Sequence, residues 1–584
     1  MQIFRIINKF KIILSGHQKK RIVELGILMI IGGLMEMFSV SLMIPFMNAA
    51  MQPNETMDKW YVKAFCEFFG IGSSKTFLMI LSFTLAILFI LKNVYLLLEY
   101  KIQYQFVYRN MFLMQRKLLK AFLHRPYEYY LSANSGEIIC IVNSDTEQTF
   151  GLLSTLLSLF TELIVSATIL VTVFVIAPAI TIGVAVILLT IVFAINRILR
   201  PVLRRNGLLF QKSVTGMNKW LLQSIQGIKE LKVMQKEDYF QANFERYGTH
   251  FVRSKEKNMV LGFVPRYCIE AISVSAMFIM IGILIYNGEP LDSLIPTLTA
   301  VAMASLRLLP SVNRISSSLT VVAYSEPMLD KMIENLEFID DGSSLLQYKS
   351  LENTVHSKIK PDWHKIILRD ATYKYPDSDE CVLDHARIEL CSGEFVGFVG
   401  ASGAGKTTTV DIILGLLNLQ KGEVLVDGVN IEGDLSGWLA QIGYIPQTIF
   451  MLDDSIRANV AFGVDDALIN EGEVWRALKE ASLDDFVRGL AEGLDTQIGE
   501  RGIRLSGGQR QRIGIARALY TNPSILIFDE ATSALDTETE KDIMESITNL
   551  HGKKTMLIIA HRLTTLEGCD KIYRVESGKI MPYM

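Results

Sequence analysis

Six predominantly apolar runs, at about 22–47, 76–98, 152–177, 179–199, 259–286 and 291–312, dominate the first half of this chain. At ~1.5 Å of rise per residue each is long enough to cross a hydrocarbon core of about 30 Å as a helix. Polar insertions interrupt them at about 99–151 and 200–258. The first carries Lys101, Arg109, Arg116, Lys117, Lys120 and Arg125, and the second carries Arg200, Arg204, Arg205, Lys212, Lys219, Lys229, Lys232 and Lys236. The turns near Pro178 and 287–292 have neither Lys nor Arg, so positive-inside bias places both insertions and both termini in the cytoplasm.

Ahead of the first run, Phe4, Ile6, Ile7, Phe10, Ile13 and Leu14 interleave with Lys9, Lys11, Lys19, Lys20 and Arg21. That pattern predicts a basic amphipathic segment on the membrane surface, the alternative being a frayed basic terminus. The run that follows exceeds the ~7–15 residues of a signal-peptide core, so no cleavable leader is expected. Within 48–75, Tyr61, Ala64, Phe65, Phe68 and Phe69 recur at helical spacing opposite Lys59, Lys63 and Glu67, which predicts a short external amphipathic helix. The pattern changes again at 325–362, a mixed polar stretch that reads as a linker. From Trp363 onward, strand-like runs at 366–375, 395–399 and 525–528 mix with helical stretches, as in an α/β domain. The expected organisation is a membrane domain over 1–324, a linker over 325–362 and an α/β domain over 363–584.

Composition sharpens this only in part. Hydrophobic residues make up 50% and charged residues 20% of the 584 residues, as a partly lipid-embedded, multidomain chain requires. The mean hydropathy of +0.29 agrees. A net charge of −3 points to no class of partner. The six cysteines show no paired spacing, and on this topology only Cys66 leaves the cytoplasm, so neither a disulfide framework nor a zinc site is expected.

The chemistry is concentrated in the last third. Gly400-Ala401-Ser402-Gly403-Ala404-Gly405-Lys406-Thr407 follows the apolar run Phe395–Val399 and fits the phosphate-cradling GxxxxGK[ST] loop between a strand and a helix. Its glycines let backbone N–H groups turn inward around phosphate oxygens, beside a helix N-terminus that favours anions. Lys406 adds charge at the β- and γ-phosphates, and the Thr407 hydroxyl suits Mg²⁺. Thr408 follows directly. Downstream come Leu505-Ser506-Gly507-Gly508-Gln509, then Ile525-Leu526-Ile527-Phe528-Asp529-Glu530, Ser533-Ala534-Leu535-Asp536 and Ile558-Ile559-Ala560-His561-Arg562.

In this order the motifs resemble the ATP-binding-cassette (ABC) family. With six spans and long cytoplasmic extensions after the second and fourth, the whole chain resembles an ABC exporter half-transporter: a type IV membrane domain joined to a P-loop nucleotide-binding domain. The resemblance implies that Asp529 binds Mg²⁺ through water, that Glu530 polarises the attacking water, and that His561 contacts the γ-phosphate. It implies that Tyr375 stacks on adenine and that Gln447, in Tyr444-Ile445-Pro446-Gln447, senses Mg²⁺ and the γ-phosphate. Glu500-Arg501-Gly502 resembles the exporter cross-talk loop, and Asp536 closes the D-loop. Ser506, Gly507, Gly508 and Gln509 would cap the ATP held by a facing copy. One cassette with six spans is then half a machine, and a homodimer with two composite sites is expected. The spans also exclude the soluble, nucleic-acid-handling ABC ATPases, so no nucleic-acid partner is expected. An ATP-gated channel fits poorly, because Glu530 and His561 are both present.

Charges within spans are costly and usually functional. Counted inward from the outer ends of their spans at ~1.5 Å per residue, Lys92 and Arg307 lie roughly 24 Å deep and Arg266 roughly 30 Å. Three cations at similar depth suit an anionic lipid headgroup. Internal pairing of Arg266 with Glu270, snorkelling of Lys92, and partners such as Glu99 and Glu162 remain open. Through Val264-Pro265-Arg266-Tyr267, Leu306-Arg307-Leu308-Leu309-Pro310-Ser311 and Leu452-Asp453-Asp454-Ser455-Ile456-Arg457, the chain resembles the PglK-like flippases of undecaprenyl-diphosphate-linked oligosaccharides. Lys92 departs from the Arg more usual there, keeping the charge without the planar fork. That resemblance implies ATP-driven movement of such a lipid between leaflets of a bacterial plasma membrane. Exporters of lipid A-type lipids, peptides or hydrophobic compounds are the nearest rivals.

Overall fold

The computed structural model describes residues 2–41, 46, 62, 73–176, 178–286, 291–340, 358–376, 378–530, 537–560 and 566–583. The external helix expected within 48–75 lies almost entirely outside them, as do Asp536 and His561 and the side chain of Arg307. The chain divides into two compact units, 1–123 with 133–341, and 124–132 with 342–584.

The first unit is helical. A short helix, α1 (Gln2–Ile13), precedes α2 (Gly16–Ser41), α3 (Ser74–Leu123), α5 (Thr146–Ile176), α6 (Pro178–Gln226), α7 (Glu237–Tyr286) and α8 (Leu291–Asp340). A six-residue helix, α4 (Tyr127–Ser132), falls in the second unit. At 50 residues, α3 is about 75 Å long, far more than a hydrocarbon core needs. By length and hydropathy together, Lys75–Leu123 and Ser135–Thr168 qualify as spans among the described residues. Helices α6 and α7 run unbroken through Pro201 and Pro265.

In α1 the stripe of Ile6, Phe10 and Ile13 is buried while Phe4, Ile7 and Ile12 face outward. Lys9 pairs with Asp330 of α8. Helices α6 and α8 approach closely at Gly207, where a Cβ would stand 2.1 Å from the Tyr324 carbonyl oxygen. Beside that crossing Arg200 reaches the buried Glu326 (3.7 Å), and Lys331 meets Glu137 at 3.0 Å.

Two expectations change here. The linker expected from residue 325 is helical to Asp340, because Met328, Leu329, Met332, Ile333 and Leu336 continue a buried apolar stripe that the intervening polar residues mask. Residues 124–132, expected within the membrane domain, group instead with the α/β unit.

The second unit holds two sheets. An antiparallel one has order β2-β1-β4-β5, from β1 (Lys365–Tyr373), β2 (Leu383–Cys391), β4 (Lys421–Val426) and β5 (Val429–Asn430). The other has order β10-β9-β3-β8-β7-β6, from β3 (Phe395–Val399), β6 (Ile442–Ile445), β7 (Ile525–Asp529), β8 (Thr555–Ile559), β9 (Lys571–Glu576) and β10 (Lys579–Pro582). Only β10 is antiparallel in it. All residues of β7 and β8 are buried, the signature of a parallel sheet covered on both faces. Register sets the site: Ile559 of β8 lies opposite Phe398 on one side and Asp529 on the other. The carboxyl end of β7 therefore stands level with the phosphate loop leaving β3, at the sheet edge where parallel α/β folds bind ligands.

Candidate functional site

The loop after β3 turns through Gly403 (φ +79°) and Gly405 (φ +103°) into α9 (Lys406–Ile413). At Gly400 a Cβ would stand 2.3 Å from the Val575 carbonyl oxygen, so glycine is required there by space. Lys406 is buried and spans the loop, donating to the carbonyls of Gly400 (2.9 Å) and Ala401 (3.0 Å). Burial pulls its ammonium pKa below the usual value, and the carboxylates of Glu530 and Asp529 oppose that pull.

Five side chains converge at the end of β7. Thr407 Oγ1 lies 3.5 Å from Asp529 Oδ1, and the Tyr444 hydroxyl donates to Asp529 Oδ2 at 3.3 Å. Gln447 Nε2 donates to Glu530 Oε2 at 2.6 Å. Desolvation, and then the neighbouring Glu530, raise the Asp529 pKa above the ordinary carboxylate range. Buried Asp411 on α9 is pushed up to about 6 by burial first and by Asp529 second. Glu530 itself has φ +50°, a left-handed backbone that costs a non-glycine residue about 1–3 kcal/mol and tends to occur at functional positions.

This arrangement fits Mg-ATP. The cradle at Gly400 admits no side chain, and Thr407, Asp529 and Gln447 offer the oxygen donors that Mg²⁺ takes. Tyr375 lies beside the loop, its hydroxyl 3.0 Å from Thr408 Oγ1 and its ring edge-on to Tyr373 at 5.1 Å.

Ser506 caps α10 (Gly507–Tyr520) in a capping box with Gln509, the two backbone N–H groups bonding at 2.8 and 3.2 Å. Gly507 and Gly508 open that helix. Among the described residues no hydrogen bond joins this terminus to Lys406, Thr407 or Glu530. In the segment after Gly499, Arg501 has φ +55° and Ile503 is 79% exposed.

Three residues near the site escaped the sequence reading. Tyr127 of α4 lies close enough to Asp411, Tyr375 and Asp529 that, after burial, their charges raise its phenol pKa. Glu128 accepts a hydrogen bond from the Tyr373 hydroxyl at 3.2 Å. Asp411 carries no motif signature. The only signal for α4 was the polar-aromatic run Tyr127-Glu128-Tyr129-Tyr130 after Pro126.

The cations of the expected spans part company. Lys92 is buried, its ammonium 5.1 Å from the ring of Phe89, three residues before it on the same helix. Its stem lies along apolar α3, and an aromatic face can hold the charge there. Arg266 is exposed, 5.9 Å from the Tyr267 ring, and makes no ion pair with Glu270. Glu162 pairs with Arg314 at 2.7 Å, so a cation the sequence reading passed over takes that carboxylate.

A P-loop ATPase joined to a bundle of membrane-length helices defines a transport ATPase. Residues 383–533 match the ABC transporter family model, and residues 22–290 match the ABC transporter transmembrane region. The chain is 31% identical over 482 residues to an ATP-dependent lipid A-core flippase of Saccharophagus degradans, spanning 80% of this chain and 77% of the relative. It is 30% identical over 473 residues to a putative multidrug export ATP-binding/permease protein of Bacillus subtilis, with 78% and 77% covered. A bacterial Atm1-family ABC exporter solved with ATP bound superposes with a TM-score of 0.76 at 21% identity, covering 97% of this chain and 95% of that one. The chain belongs to the ABC transporter family, has the type IV exporter fold, and couples ATP hydrolysis to transport.

Proposed function

We propose that two copies assemble as a homodimer in a bacterial plasma membrane, with the nucleotide-binding domain and both termini cytoplasmic. ATP hydrolysis then moves an anionic lipid-linked substrate, in its sharpest form an undecaprenyl-diphosphate-linked oligosaccharide, from inner to outer leaflet. The observation that carries this reading is Arg266, an exposed intramembrane guanidinium with no bond to Glu270 four residues on. Such a charge is retained where it meets an anion. Relatives named as lipid A-core flippases support a lipid as the class of cargo.

In the motor, Lys406 and the loop N–H groups hold the phosphates, and Thr407, Asp529 and Gln447 hold Mg²⁺. When bound, Mg²⁺ neutralises charge at the β- and γ-phosphates. Glu530 orients the attacking water, and its 2.6 Å bond to Gln447 fixes the carboxylate that must reach it. His561 and Asp536 are assigned the γ-phosphate and D-loop roles by motif. The α10 terminus, with Ser506 and Gly508, caps ATP bound by the partner, as its lack of bonds to the loop of its own chain suits.

A hydrophobic-compound exporter is the second reading, favoured by the name of the B. subtilis relative. Proteoliposomes separate the two. Arg266→Ala should stop flipping of lipid-linked oligosaccharide while basal ATP hydrolysis persists; unaltered flipping in the variant would remove Arg266 from headgroup recognition, and export of a hydrophobic compound without oligosaccharide flipping by the wild type would favour the second reading.

A further inference from the structure

About 25 Å along α3 from Lys92, a cavity of about 470 Å³ opens between the first turns of α2 and residues 102–113 of α3. Its two walls are fastened together. Ser15 and Gln18 form a capping box at the start of α2, and Gln18 Nε2 then donates to Oδ1 of buried Asn110 on α3 at 2.5 Å. Around the opening stand His17, Lys20, Arg21, Glu24 and Arg109. Arg21 and Glu24 satisfy one another at 2.6 Å. Lys20 and Arg109 make no ion pair among the described residues, so two cations face the cavity uncompensated, beside a helix N-terminus whose dipole also favours an anion. Ile102 and Phe106 give it an apolar wall. Just before it, α1 turns Phe4, Ile7 and Ile12 outward among lysines, as a helix lying in the headgroup layer does.

We infer that this cavity binds the phosphate headgroup of an anionic glycerophospholipid of the cytoplasmic leaflet, one acyl chain lying against Ile102 and Phe106. Orientation in the leaflet rests on the topology proposed above; the binding chemistry does not. The volume lies in the range of small-ligand sites, about 300–1,000 Å³, which suits a single headgroup. The occupant is a bound lipid rather than cargo, because the site sits at the start of α2 and just past the apolar run 76–98 of α3.

Native mass spectrometry of the full-length protein, released from vesicles of equal phosphatidylglycerol and phosphatidylcholine, tests this. The wild type should retain phosphatidylglycerol selectively. Lys20→Ala/Arg109→Ala should cut that selectivity by about five-fold per cation removed, the usual effect of a basic residue at an anionic surface. Lys20→Arg/Arg109→Lys should preserve it, and ATP hydrolysis in pure phosphatidylcholine should be unchanged in both variants, which reports folding. Wild-type selectivity in the double alanine variant would overturn the inference. So would displacement of the lipid by inorganic phosphate at millimolar concentration, which would mark a free-anion site. Loss of oligosaccharide flipping with lipid selectivity intact would bear on cargo alone.

Discussion

Glu530 sits one residue beyond a fully buried strand in a left-handed backbone, and its carboxylate accepts a hydrogen bond from Gln447. That geometry suits a group that orients water and does not hold metal. Glu530→Gln should therefore abolish turnover while Lys406, Thr407 and Asp529 still bind Mg-ATP, which nucleotide-binding and hydrolysis assays on one preparation will separate. Near-normal hydrolysis would remove Glu530 from this role. Asp411, 9% exposed and raised to about 6, makes a prediction about pH. Unfolded, its carboxyl returns to about 3.9, so above pH 6 the folded protein bears the full cost of an ionised buried carboxylate. The cost fades as pH falls from 6 towards 4, because the folded form takes up its proton first. Asp411→Asn should then raise the apparent Tm of the Mg-free protein at pH 8, by at most about 3 kcal/mol of stability, and the gain should vanish by pH 4. A Tm gain that is constant across pH would show that charge is not the cause.

At the scale of elements, α10 presents a capped, glycine-rich N-terminus that, among the described residues, makes no hydrogen bond to the phosphate loop of its own chain. A composite site predicts a particular pattern in mixed dimers. One Lys406→Ala chain paired with one Ser506→Arg chain places both lesions in a single site and leaves the other whole, so ATP-dependent closure should survive in part. Either substitution in both chains should damage both sites. A monomer hydrolysing at the dimer's rate would contradict the arrangement. Helix α4 offers a second test, since Glu128 holds the hydroxyl of Tyr373 beside Tyr375. Loss of one hydrogen bond to a charged group costs about 1.5–3 kcal/mol. Glu128→Ala should accordingly weaken the stimulation of ATP hydrolysis by cargo more than basal hydrolysis; equal loss of both would assign Glu128 to the motor alone.

For the whole molecule, the question is whether an anion in the membrane drives the cycle. Arg266→Ala should lower cargo binding by one to two decades, from about 1.5–3 kcal/mol for a charge-assisted contact. Arg266→Lys should recover part of that, since charge returns without the planar fork. Full flipping activity in Arg266→Ala/Glu270→Ala, after failure of Arg266→Ala alone, would show an internal pair at work and sink the headgroup role.

The sequence by itself determined the class of fold and the ATP-handling motifs, because those depend on short, contiguous signals. Apolar runs of membrane length and a glycine loop between strand and helix are local patterns whose chemistry survives any packing. It did not show where the long helices end. The stripe from Met328 to Leu336 is apolar only on one face, and which face is covered is decided by neighbouring helices. Nor did it show that Tyr444, Asp411 and Tyr127 gather around Asp529, since parallel-strand register and a helix about 400 residues earlier in the chain bring them there. The cations of the spans looked alike on paper. Tertiary packing separated them, burying Lys92, giving Glu162 to Arg314, and leaving Arg266 exposed, because the cost of a charge depends on what surrounds it in space.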